Sequence, residues 1–228
     1  MDNSPSPFLT SVQNMNVGIG ALLTFGTYPQ TAEGGDRTPI QWRVLKNTDD
    51  GLFLLSEYLL DCRRYHREPV EMTWRDCDLR AWLNERFYQN AFDESEQRCI
   101  KTTVCTGNGD GSADTEDKVF LPSVMEVNEL TGLHLSESCG ARRLTVGTPY
   151  ARAAKADGCR LYVYDKSVKS NYVMENGVET GCSWWWLRTQ GNAASRANFI
   201  GTRSSVRRYG SIDLPYYGVR PALVLHRQ

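Results

Sequence analysis

Ile40, Trp42 and Val44 alternate with Gln41 and Arg43, so three large apolar side chains fall on one face of an extended chain and the polar ones on the other. A face of that kind is stable only beside other strands. The flanking runs LLTFGTY and GLFLLSEYLL, the second entered through the turn sequence NTDDG, supply them and predict an antiparallel meander from Ala21 onward. The period then changes. Thr73 and Asp76 read as a helix start, after which Leu79, Trp82, Leu83 and Phe87 recur at helical spacing. Asp93 and Glu96 stand at capping-box spacing and predict a second helix with Cys99 and Ile100 on its inner side. VFLPSVMEV reads as a short strand stopped by Pro122, with Ser123 and Glu126 again spaced as a capping box. TPYARAAKA offers one more helix start at Pro149, and RLYVYD, CSWWWLR and GVRPALVL return to strands. The fold class expected is therefore α+β, with strands at both ends of the chain and helices between. One domain is expected over residues 17–228, after a Ser-, Pro- and Asn-rich flexible arm at 1–16.

Composition narrows the function classes. The formal net charge is -1 over 228 residues, which leaves no positive excess to bind nucleic acid or an anionic membrane by counterion release. No run of 18 apolar residues exists, so membrane insertion is not expected, and the start lacks the basic and apolar regions of a secretory signal. The expected location is cytoplasmic or phage-particle associated. The seven cysteines form no C-x-x-C pair and the three histidines lie far apart, so no metal-ligand spacing is present and the cysteines read as structural. TGNGDGSADTEDK (106–118) lacks a Gly at the sixth loop position and the distal bidentate Glu of an EF-hand and reads as a solvated acidic loop. Asp76 with Asp78, and Glu94 with Glu96, stand two apart on helices and do not face each other as an acid/base pair would. No nucleophile, phosphate-loop or dinucleotide motif is found, so neither catalytic residues nor a cofactor are expected.

The last fifth is different. Trp184, Trp185 and Trp186 stand in a row, and in a strand alternate members face opposite sides, so two in the core and one at a neighbouring layer or a ligand is the expectation. Lys, Glu, Gln, Met and Trp make up 37 of the 228 residues, yet none occurs in the 27 residues from 191 to 217. Chance would produce such a gap about one time in a hundred. The window has no sustained apolar alternation, and arginines are interleaved with aromatics among Ser, Gly and Asn. It reads as something other than a normal core segment: a long solvated loop, or a binding surface built from rigid aromatic anchors and adaptable polar residues.

FGTYPQ, PIQWRVL, LLSEYLLDCRRY, TWRDCDLRAWLNERFY followed by NAF, VFLPSVMEV, WWLR and GVRPAL occur here in an order that resembles a bacterial and phage domain family of C-type-lectin-like fold, over about residues 21–226. That family is related to the formylglycine-generating enzymes and includes the variable proteins of diversity-generating retroelements, whose template adenines are scrambled. Mutating AAC codons at adenine never yields Lys, Glu, Gln, Met or Trp, the five types missing from 191–217. The resemblance implies a ligand-binding protein, not an enzyme, whose variable segment (about 189–217) meets a protein or cell-surface ligand without a cofactor. It assigns the variable positions to Asn192, Ala193, Ser195, Arg196, Asn198, Phe199, Arg203, Arg207, Arg208, Tyr209, Ser211, Asp213, Tyr216 and Tyr217. It also implies that GVRPALVL lies beside the N-terminal strands. The alternatives are an oxidative enzyme of the formylglycine-generating type, for which Cys182 has no partner cysteine by spacing, and an invariant binding domain of the same fold.

Overall fold

A computed structural model of the chain describes residues 17–131, 143–163, 172–175, 177–201 and 204–227. The arm expected at 1–16, and Arg203 among the expected site residues, lie outside them. In chain order the strands are β1 (Leu22–Tyr28), β2 (Thr38–Thr48), β3 (Gly51–Ser56), β4 (Asp61–Cys62), β5 (Thr103–Cys105), β6 (Thr115–Asp117), β7 (Tyr172–Glu175), β8 (Val178–Gly181), β9 (Trp185–Gln190), β10 (Arg196–Ile200), β11 (Val206–Ser211), β12 (Gly218–Val219) and β13 (Ala222–Leu225).

The meander forms as its alternation demands. Ile40, Trp42 and Val44 are fully buried, and the Trp42 indole N–H donates to the Phe25 carbonyl at 2.7 Å, so this large core side chain keeps its one polar atom satisfied. β13 closes this sheet in the order β1-β2-β3-β13, antiparallel to β3, with Leu223 opposite Leu54. GVRPALVL is thus two strands where one was expected. Gly218 and Val219 belong to a second sheet, ordered β11-β10-β9-β12-β4, and the chain crosses between sheets at Arg220 and Pro221, where Pro221 has no N–H to give to a ladder.

The helices between β4 and β5 pack into the core of the first sheet, and those at Val124–Thr131 and Pro149–Arg152 lie against β9 and β4 of the second. In α1 (Asp78–Trp82) the cap is the Cys77 thiol, which accepts from Arg80 N, while Thr73, the expected start, donates its hydroxyl to Asp76 at 2.9 Å in the preceding turn. The Leu83–Phe87 turn is π-helical and runs into α2 (Tyr88–Ala91). α3 (Glu94–Cys99) has the predicted capping box, with Asp93 accepting from Glu96 N and Glu96 accepting from Asp93 N, each at 2.9 Å. Ser123 and Glu126 cap α4 (Val124–Thr131) in the same reciprocal way. VFL before it makes only a single bridge, Phe120 with Ala222. Thr148 caps α5 (Pro149–Arg152).

One core cluster takes side chains from β1, β2, β3, β13, the helices and the inner face of the second sheet, including Trp186 and Phe199. Trp185 lies in another cluster with Leu187, Ile200 and Val206, on the opposite face, as alternation along β9 requires. The 106–118 stretch is not uniformly solvated. Asp117 in β6 is buried and accepts from the Trp74 indole at 3.0 Å and from Arg80 Nε at 2.6 Å, and Asn108 is buried beneath the loop.

Candidate functional site

Residues 191–217 are not a long loop. β10 and β11 form an antiparallel hairpin at the edge of the second sheet, and 212–217 returns across its end to β12. A register shift between Ala197 and Phe199, on both sides of β10, puts Ala197, Asn198, Phe199 and Ile200 all in the interior. That bulge erases the period of two by which the strand would have been recognised.

The scaffold holds the segment through main-chain atoms. Met72 N donates to the Ala194 carbonyl, His66 N to Ile212, Arg160 N to Pro215, Tyr162 N to Tyr216 and Arg63 N to Tyr217, all between 2.8 and 3.1 Å. Arg64 adds a side-chain bond to the Asp213 carbonyl at 2.9 Å. None of these bonds depends on which side chain the segment carries.

The expected site residues then divide. Asn192, Ala193, Arg208, Tyr209 and Tyr216 are exposed, and Ser195, Arg196, Arg207, Ser211 and Asp213 are half-exposed. Three of the expected positions are interior instead. Phe199 packs against Trp186 and Tyr217, the Tyr217 ring stacks on Trp186 with centroids 3.8 Å apart, and Asn198 Nδ2 donates to the Thr189 and Gln190 carbonyls across the sheet. Burial pushes the Tyr217 phenol up to about 12. They fix the sheet and are not presented to solvent.

Between core and surface runs a ladder of rings. Tyr162 stacks on Trp184 at 4.1 Å, Trp184 stacks on Tyr217 at 5.6 Å, and Tyr209 meets Phe199 edge-on at 5.5 Å. Trp184 is the one tryptophan of the run that reaches the surface. Tyr162, 39% exposed, is a surface member that the sequence did not single out, because it lies some thirty residues before the segment and is brought there only by the 160–162 pairing with 215–216. Glycine is required within the segment itself: a Cβ on Gly210 would sit 2.5 Å from the Trp186 ring.

Arg188, the last residue of WWLR, holds the sheet from behind. Buried to 1% exposure, it pairs bidentately with Glu126 at 2.5 and 2.8 Å and donates to Asn108 Oδ1 and to the Leu121 and Thr106 carbonyls. The six described cysteines are free and buried, and burial pushes Cys182 up to about 12.

These features define a mixed α+β protein, richer in strand than in helix and built of several antiparallel sheets, with one hairpin edge carrying exposed aromatic and arginine side chains. The chain belongs to the family described as Domain of unknown function (DUF6273), whose model matches residues 49–227 and so takes in β3 through β13 and the whole 191–217 segment. No curated protein and no solved structure matches it. Among the described residues no helix is long and apolar enough to cross a membrane.

Proposed function

We propose that this chain is a ligand-binding protein of C-type-lectin-like fold, diversified by a retroelement within about 189–217 so that it presents varied surfaces to a protein or cell-surface ligand. The observation that carries the reading is the anchoring of that segment by main-chain bonds, which tolerates side-chain exchange at exposed positions without loosening the backbone. The absence of Lys, Glu, Gln, Met and Trp from 191–217 and the order of the motifs support it independently. Tyr209, Tyr216, Trp184 and Arg208 supply the rigid, amphipathic contact area that dominates binding energy, with Ser and Asn adapting around them. The raised pKa of Cys182 supports binding over thiol chemistry, since a buried thiol stays protonated at neutral pH.

Sequencing the genomic DNA on either side of the gene tests the reading. It requires a reverse-transcriptase gene and a near-repeat of the codons for 184–222 that differs only where the repeat has adenine. Their absence would reject diversification and leave a fixed binding domain.

A further inference from the structure

The turn after β4 carries Arg63, Arg64 and Arg67 within five positions, and the three line a cleft of about 280 Å³ whose opposite wall is Leu79 and Trp82 of α1. The cleft continues past Trp82 into a hollow of about 270 Å³ with Glu85 and Arg86 at its rim. Each arginine of the turn is held by part of its guanidinium. Arg63 Nε lies 3.3 Å from Asp61 while its guanidinium covers the Trp82 ring at 4.0 Å, Arg64 bonds the Asp213 and Asp157 carbonyls at 2.9 Å each, and Arg67 Nε lies 3.3 Å from Asp78. Among the described residues no acceptor meets the Nη atoms of Arg63 or Arg67. The two carboxylates beside the three arginines are turned to protein donors, Asp78 to Arg67 N and His66 and Asp157 to Cys159 N at 3.0 Å.

Charge and shape select the ligand. Over both hollows four arginines face Asp78, Asp157 and Glu85, and Asp61 behind Arg63 is shared with Lys155 at 3.5 Å, so the surround keeps a formal excess of one positive charge. One excess charge matches a monoanion, whereas a phosphate dianion overfills it. Guanidinium forks already tethered at Nε lose little freedom when they take a carboxylate in their plane, and the part of Trp82 that the Arg63 guanidinium leaves open, which lines both hollows, gives an apolar edge for the methylenes of a glutamate. We propose that this cleft is a fixed subsite for a side-chain carboxylate on an acidic segment of a protein ligand. Its residues all lie outside 191–217, so it stands whether or not that segment is diversified. It shares a wall with the segment, because Arg63 N and His66 N donate to the carbonyls of Tyr217 and Ile212.

The test titrates a hexaglutamate peptide into the isotope-labelled folded chain and follows the Trp82 indole N–H signal by NMR, assigned with Trp82→Phe. A saturable shift is expected, weakened at least tenfold in the Arg63→Gln, Arg67→Gln double variant and changed less than twofold in Arg98→Gln, an exposed arginine on α3 away from the cleft. Inorganic phosphate should bind more weakly than the peptide. No saturable shift, an equal loss in Arg98→Gln, or tighter binding of phosphate would each overturn the proposal. If the double variant does not fold, Arg67→Gln alone serves, since its side chain is 77% exposed, and at least a threefold loss is then required. Failure here leaves the genomic test of diversification untouched.

Discussion

Tyr217 is 4% exposed and Tyr209 is 58% exposed, although both are tyrosines of one short segment. The difference separates a residue that holds the surface from one that is the surface. Replacing Arg207, Tyr209 and Tyr216 together with Ser should therefore change stability little, about 0.5 kcal/mol per site at most, because two of them are exposed, Arg207 is half-exposed, and side chains away from caps and cores contribute little. Phe199→Ala should cost about 3–5 kcal/mol, since it empties a space between Trp186, Trp184 and Tyr217. Thermal melts of the two variants check the pair. A large loss in the triple variant would make those residues core. Arg188→Leu should cost about 3–5 kcal/mol by stranding the Glu126 carboxylate and several carbonyl partners. Arg188→Lys should recover only part of it, because a point charge cannot reach the same set of acceptors. Urea denaturation measures both. Arg188 stood in plain view within WWLR, yet its role was hidden, because two of its partners are backbone carbonyls that any residue could provide.

The elements that could be read from sequence were those whose signals are local. The meander followed from alternation at Ile40, Trp42 and Val44, and α3 followed from Asp93 and Glu96 three apart. The Asp93 carboxyl is held below its ordinary value, chiefly by the Glu96 N–H and then by Ser95, which bond its charged form. The sign follows from that: the charged cap stabilises the fold above pH 3.8, and the contribution is lost as pH falls through the lower, folded value. Asp93→Ala should cost about 1 kcal/mol at pH 7 and progressively less as the pH falls below 3.8, measured by denaturation at each pH. A cost independent of pH would show that the carboxylate is not the cap. β10 and β11 were illegible for the opposite reason. The bulge at Asn198 breaks their alternation and turns four successive residues of β10 inward, so a strand pair looked like a loop although its partners are close in sequence. The split of GVRPALVL was likewise invisible, because only the assembled sheets show that the chain changes sheet at Arg220.

Taken whole, the molecule places the 191–217 segment at one margin. The first sheet and helices bury the large aromatic core, β9 and β12 connect that core to the second sheet, and the β10–β11 hairpin with the 212–217 return lies outermost. The Arg63–Arg67 turn sits along the same margin and could not be read from sequence, since its cleft exists only when the turn after β4 meets α1. If the margin is a display surface on a rigid support, side chains there are interchangeable and the support is not. Randomising Asn192, Ala193, Arg208, Tyr209, Asp213 and Tyr216 together with codons ending in C, and recording the melting temperature of individual clones, puts that to the test. Most clones should unfold cooperatively within about 5 °C of the parent, given about 2–4 °C per kcal/mol for a domain of this size. If most clones instead lose cooperative unfolding, the segment is part of the fold's support and the account of it as a display surface is wrong.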